Sequence, residues 1–145
     1  MAVVAVAVML GGLTSTVALA RRFPRPPGGQ GRALASYHII VHGRHARGRA
    51  GIWLFPHPPG IGSPPELCVK VRPVRGFQLR STSPLSSFAI AHRRRKLFIL
   101  NLARNGACVG GRNIKLGAIA KHPRAYTLEI WPHGGSGRPA VRGRL

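Results

Sequence analysis

Acid is what this chain most lacks. Aspartate is absent, and its carboxylate side chains are those of Glu66 and Glu129, against 23 Lys and Arg. Glycoside hydrolysis needs two carboxyl groups at a set separation, and phosphoryl transfer or two-metal hydrolysis needs acids to hold its cations. Composition therefore argues against all three. No G-x-S-x-G elbow fixes a nucleophile for a triad drawn from the seven histidines. The expectation is a protein that is not an enzyme, with no catalytic residue, no cofactor and no small-molecule substrate.

Cysteine is nearly as scarce. Cys68 and Cys108 stand far apart with no C-x-x-C, so a zinc ribbon and a thioredoxin-type motif are both excluded. They read as buried free thiols, with one disulfide in an oxidising compartment as the alternative. His38, His42 and His45 have a spacing that would align them on a helix. Their host segment SYHIIVHG has strand character, however, and no acid nearby orients an imidazole, so no metal site is expected.

What is present is cationic. The formal net charge is +21 and the pI about 12.0, which drives the protein towards polyanions. Arginine supplies all but four of the cations, the lysines being Lys70, Lys96, Lys115 and Lys121. Its planar fork grips phosphate bidentately and stacks on bases, which suits RNA. The bland reading is codon usage, because Arg, Gly, Pro and Ala all come from GC-rich triplets and an unselected frame would match the composition. Hydrophobic residues at 44 % nonetheless supply enough apolar surface for one domain's core.

Residues 1–20 carry no charged side chain and stop at Arg21 and Arg22, with Arg25 close behind. If helical, such a stretch can reach across a bilayer, with these three arginines flanking the anchor on the inner face, although Gly11, Gly12 and three hydroxyl residues dilute its hydrophobicity. Ala18-Leu19-Ala20 also has the small-x-small form of a cleavage site, but no basic residue precedes the apolar run. An organellar transit segment is the third reading, since no acid appears before Glu66. A mitochondrial location is expected first and a membrane next.

Prolines and glycines make residues 21–33 a linker, and a second Pro-rich stretch at 56–65 makes a loop. Residues 34–133 hold short β-branched and aromatic runs punctuated by turn residues. They predict a mostly β domain, a small barrel or sandwich, with strands at 34–42, 51–55, 67–74, 77–80, 87–92, 96–103, 113–120 and 125–131. Alternation is clearest at the last, where Tyr126, Leu128 and Ile130 share one face. Asn105-Gly106 is the strongest hairpin signal. Residues 134–145 read as a flexible basic tail.

The candidate nucleic-acid-binding residues fall in three stretches. Arg44, Arg47 and Arg49 alternate with small residues, with Tyr37 and Trp53 as potential stacking surfaces. Arg93, Arg94, Arg95 and Lys96 crowd a basic tip between two apolar runs, and Arg138, Arg142 and Arg144 occupy the tail. The leading expectation is an RNA-binding structural component of a ribonucleoprotein particle, ribosome-like and organellar, whose partners are rRNA-like RNA and neighbouring proteins of the particle. No RRM signature or C₂H₂ finger supplies base reading. The alternatives are a small single-pass membrane protein with a basic juxtamembrane region facing anionic lipid, and the product of an unselected GC-rich frame. A folded domain predicts a sigmoidal thermal loss of the β circular-dichroism signal, whereas a broad, non-cooperative loss would favour the unselected frame.

Overall fold

The structure, a computed structural model, describes residues 23–28, 31–57, 62–74, 76–79 and 85–145. Residues 1–20, with the membrane, signal and transit readings, lie outside these, as do Arg21 and Arg22. Among the described residues no helix is long and apolar enough to cross a membrane.

The strands are β1 (Ala35–His42), β2 (Arg47–Phe55), β3 (Glu66–Val74), β4 (Ser87–His92), β5 (Arg95–Asn101), β6 (Ala107–Gly110), β7 (Tyr126–Trp131) and β8 (Val141–Arg144). They form one eight-stranded antiparallel sheet in the order β5-β4-β7-β8-β1-β2-β3-β6. The sheet curls until it is nearly closed, so the fold is mostly β and barrel-like. Asn105-Gly106, expected to close a hairpin, instead makes a turn at 103–106 between edge strands β5 and β6, which pair with β4 and β3 and, among the described residues, are bridged only at Ala103↔Gly106. There the Gly106 N–H donates to the Ala103 carbonyl at 3.0 Å, with Gly106 at φ 104°.

Alternation sorts side chains into the barrel. Tyr126, Leu128 and Ile130 point into a core shared with Ile39 and Val41 of β1, Ile52 and Leu54 of β2, Leu67 and Val69 of β3 and Phe88 and Ile90 of β4. A smaller apolar cluster of Trp53, Phe55 and Cys68 lies apart from that core. Trp131 is buried as well: its indole N–H donates to the Gly137 carbonyl at 3.1 Å, and the Lys96 ammonium lies 4.4 Å from its ring centre.

Two expected strands take other forms. Phe77 and Leu79 are buried like strand residues, yet residues 77–79 join no ladder. The segment expected as a strand at 113–120 holds α1 (Leu116–Lys121) instead. Leu116 and Ile119 are three apart, which puts both on one face of a helix, and Ala118 and Ala120 favour it. Lys121 complements its C-terminal dipole, and Pro123 stops it from continuing. Both apolar residues enter the core, and α1 fills one end of the barrel, where the Tyr37 hydroxyl donates to the Ala120 carbonyl at 3.3 Å. Burial pushes the Tyr37 phenol above its ordinary pKa.

Residues 134–145, expected as a flexible tail, supply β8, which pairs with β7 from Thr127↔Arg144 to Ile130↔Val141 and meets β1 at His42↔Arg142. The apolar signal of VRGR is a single valine, because its other inward position is glycine. A Cβ on Gly143 would meet Ile39, Ile40 and Val41 atoms at 3.0–3.1 Å, so a larger residue would force β1 away.

Cys68 and Cys108 form a disulfide, correcting the expectation of free thiols. The register of β3 on β6 sets them directly opposite one another, a relation that their sequence separation of 40 does not reveal. As a test of the end plug, Ile119→Ala should cost about 2–5 kcal/mol in denaturant unfolding. An unchanged midpoint would show that α1 contributes nothing to the core.

Candidate anion-binding cleft

The antiparallel register gives the barrel two unlike ends. One is filled by α1. At the other, where β1, β3 and β7 end and β2, β4 and β8 begin, the connections between strands surround an open cleft of about 930 Å³. Residues 43–46 form one wall, 76–79 and Arg104 a second, and 132–133 with 138–142 a third. Gly43 lets the first wall close on the third, since a Cβ there would fall on the Ala140 carbonyl.

The cleft has a cationic lining. Arg44, Arg104, Arg138 and Arg142 contribute guanidinium groups, His42, His45 and His133 imidazoles, and no carboxylate appears among the described lining residues. Buried Phe77, Leu79 and Val141 give it an apolar base. Arg104 is steadied by donating from Nε to the Leu79 carbonyl at 3.4 Å. Arg44 and Arg138 have no hydrogen-bond or ion-pair partner among the described residues, so their donors remain open to a ligand. Arg142 lies 3.5 Å from Glu129, but with 58 % of its side chain exposed the pair is weak and Arg142 remains a donor.

A second hollow of about 690 Å³ adjoins the first through Gln78, Leu79 and Arg104, adding Arg25, Lys70 and Arg72. The two make a continuous basic path from the barrel mouth along β3. Guanidinium groups bind phosphate oxygens bidentately, and apolar surface beside them can accept ribose or base faces.

The cations expected to bind nucleic acid are divided by this geometry. Arg44, Arg138 and Arg142 come together in the main cleft, although they belong to two distant stretches of sequence. Arg47 is exposed at the start of β2, and Arg144 is exposed on β8; neither lines the cleft. Arg49 is half-buried with its guanidinium carbon 5.2 Å from the Phe23 ring centre, a cation–π contact. Arg93, Arg94 and Arg95 are exposed at the opposite end, while Lys96 is engaged with Trp131. Of the anchor-flanking arginines, Arg25 is exposed beside the second hollow.

The stacking surfaces suggested by the sequence are occupied. Trp53 is 5 % exposed, and the Tyr37 hydroxyl is directed to α1. His38 stacks on Phe23 at 4.8 Å and meets Trp53 edge-on, so its ring serves packing. The described group with metal-ligand character is Glu66, Cys68 and Cys108, whose sulfurs are joined to each other. Arg104, His133 and Arg72 drew no attention in the sequence, and His42, His45 and Lys70 were not expected to meet an anion. His42 and His45 flank Arg44, and Arg104 adjoins the Asn-Gly turn, but only the strand order brings them to one mouth.

No family model, curated protein or solved structure matches this chain. The cleft makes its own prediction through Glu129. Glu129→Gln should change stability by no more than about 1 kcal/mol, because it removes one partly exposed ion pair. By releasing Arg142, it should also enlarge the rise in melting temperature produced by inorganic phosphate; an equal or smaller rise would exclude Arg142 from anion binding.

Proposed function

We propose that this protein is a non-enzymatic RNA-binding component of a ribonucleoprotein particle, and that its barrel-mouth cleft seats the phosphate backbone. The observation that carries this reading is the convergence of Arg44, Arg104, Arg138 and Arg142 around one opening with no carboxylate among the described lining residues. Four guanidinium groups there repel one another unless an anion enters, and the net charge of +21 adds a long-range attraction for any polyanion. The adjoining hollow with Arg25, Lys70 and Arg72 extends the path beyond a single phosphate, which favours a chain of phosphates over a lone ion. Binding proceeds by counterion release, so its strength falls steeply with salt.

Shape and backbone contacts dominate in this proposal, and neighbouring proteins of the particle supply the remaining selectivity. An organellar particle, mitochondrial by composition, is the proposed setting. The disulfide between Cys68 and Cys108 adds a compartment condition, since such bonds persist where thiols are not kept reduced.

The test is the affinity of full-length protein for labelled single-stranded RNA across a salt series. Replacing Arg44 and Arg138 by Gln should lower the magnitude of the log K against log salt slope by about 1.4, or about 0.7 for each phosphate no longer neutralised. A charge-matched control, Arg32→Gln with Arg112→Gln, removes two exposed cations away from the cleft and should leave that slope unchanged. Equal losses in both variants would mean diffuse charge attraction with no cleft site. A salt-independent affinity would reject the phosphate mechanism.

A further inference from the structure

The hairpin between β4 and β5 has the shortest common loop, two residues, with His92 paired to Arg95 across it. Such loops adopt turns that match the right-handed twist of their strands, and the commonest requires positive φ at both central positions, hence the usual Asn-Gly. Here those positions are Arg93 at φ 48° and Arg94 at φ 69°, the non-glycine residues with positive φ among those described. A side chain bearing a Cβ is disfavoured there, and arginine lacks the short polar group with which asparagine offsets the strain.

The turn itself gains nothing from these two side chains. The side chains of Arg93, Arg94 and Arg95 are exposed and have no hydrogen-bond or ion-pair partner among the described residues. Their mounting, by contrast, is well fixed. β4 is paired on both sides, by β5 and β7, and the His92 ring stacks on Tyr126 at 4.9 Å just below the tip. A turn that carries exposed cations at backbone positions suited to glycine is the form expected of a site kept for a ligand.

Its location separates it from the cleft. The tip adjoins Tyr126 at the start of β7, whereas the cleft opens beyond Trp131 at its end, about 17 Å away along that strand. Glu129, paired with Arg142, lies between them on the same strand, and exposed Arg144 of β8 stands opposite Thr127, so distance along the barrel is what separates the two sites. We propose that Arg93, Arg94 and Arg95 form a second phosphate-binding site, and that the protein bridges two RNA segments, one at each end of the barrel. This inference rests on the RNA-binding reading of the cleft.

The test uses full-length protein with two short oligouridylates of about eight nucleotides, a length that one small barrel can cover. One oligonucleotide carries a donor dye and the other an acceptor. Bridging produces energy transfer at stoichiometric protein, and the signal declines again when excess protein gives each oligonucleotide its own molecule. The variant Arg93→Asn with Arg94→Gly installs the residues preferred by the turn. Its melting temperature should rise by several degrees, which rules out misfolding as the cause of any loss. Energy transfer should fall to the protein-free level, while affinity for a single oligonucleotide stays within about threefold of wild type.

Energy transfer retained by this variant would overturn the second site. Wild-type protein that binds single oligonucleotides without energy transfer would overturn bridging and leave the cleft reading intact. Failure of wild-type protein to bind RNA even at low salt would overturn the cleft reading and this inference together. In a parallel arm with vesicles containing phosphatidylserine, tip-dependent vesicle binding without RNA bridging would reassign the tip to a membrane surface and overturn the proposal.

Discussion

The barrel depends on a four-residue strand. β8 lies between β7 and β1, and without it the sheet divides into β5-β4-β7 on one side and β1-β2-β3-β6 on the other. Each part would then expose unpaired backbone at a new edge and open the shared core to water. β8 accomplishes the joining with little apolar surface of its own, by burying Val141 and bringing Gly143 against β1, while Arg142 and Arg144 remain exposed. Continuity of the sheet and charge presentation thus come from the same strand, because the register that places Val141 in the core sets Arg142 at the cleft.

That arrangement also explains how so basic a chain tolerates folding. The core is wholly apolar along the inward faces of β1, β2, β3 and β7, and cations occupy outward positions or connections, where water screens their repulsion. A few are used structurally: Lys96 covers Trp131, and Arg49 lies over Phe23. With two Glu available, ion pairing cannot neutralise the rest. Uncompensated charge therefore gathers where the connections converge, and strand order determines which arginines meet.

The legible parts of the fold were those whose signal is local. β1, β3, β4, β5 and β7 announced themselves by β-branched and aromatic runs, and β7 by strict alternation. Residues 77–79 mimicked a strand because Phe77 and Leu79 alternate inward, yet pairing requires a neighbouring strand that local sequence does not specify. α1 was obscured by its length, since six residues offer fewer than two turns of periodicity. β8 was hidden because its core-facing positions are one valine and one glycine, and its arginines resemble those of a solvated tail. In the site, Arg44, Arg138 and Arg142 were legible as cations but not as neighbours.

The sequence by itself determined the charge, the acid deficit, the β class and the inward alternation of strands such as β7, for these follow from side-chain chemistry and a period of two residues. Tertiary structure alone decided that β8 joins the two halves of the sheet and that Cys68 faces Cys108. It also decided that cations from distant loops line one mouth while Arg93 and Arg94 crown the other end. The physical reason is that strand pairing and register arise from backbone hydrogen bonds, which every residue but proline can make. Sequence therefore marks which segments can pair, and the packing of the whole core selects the partners.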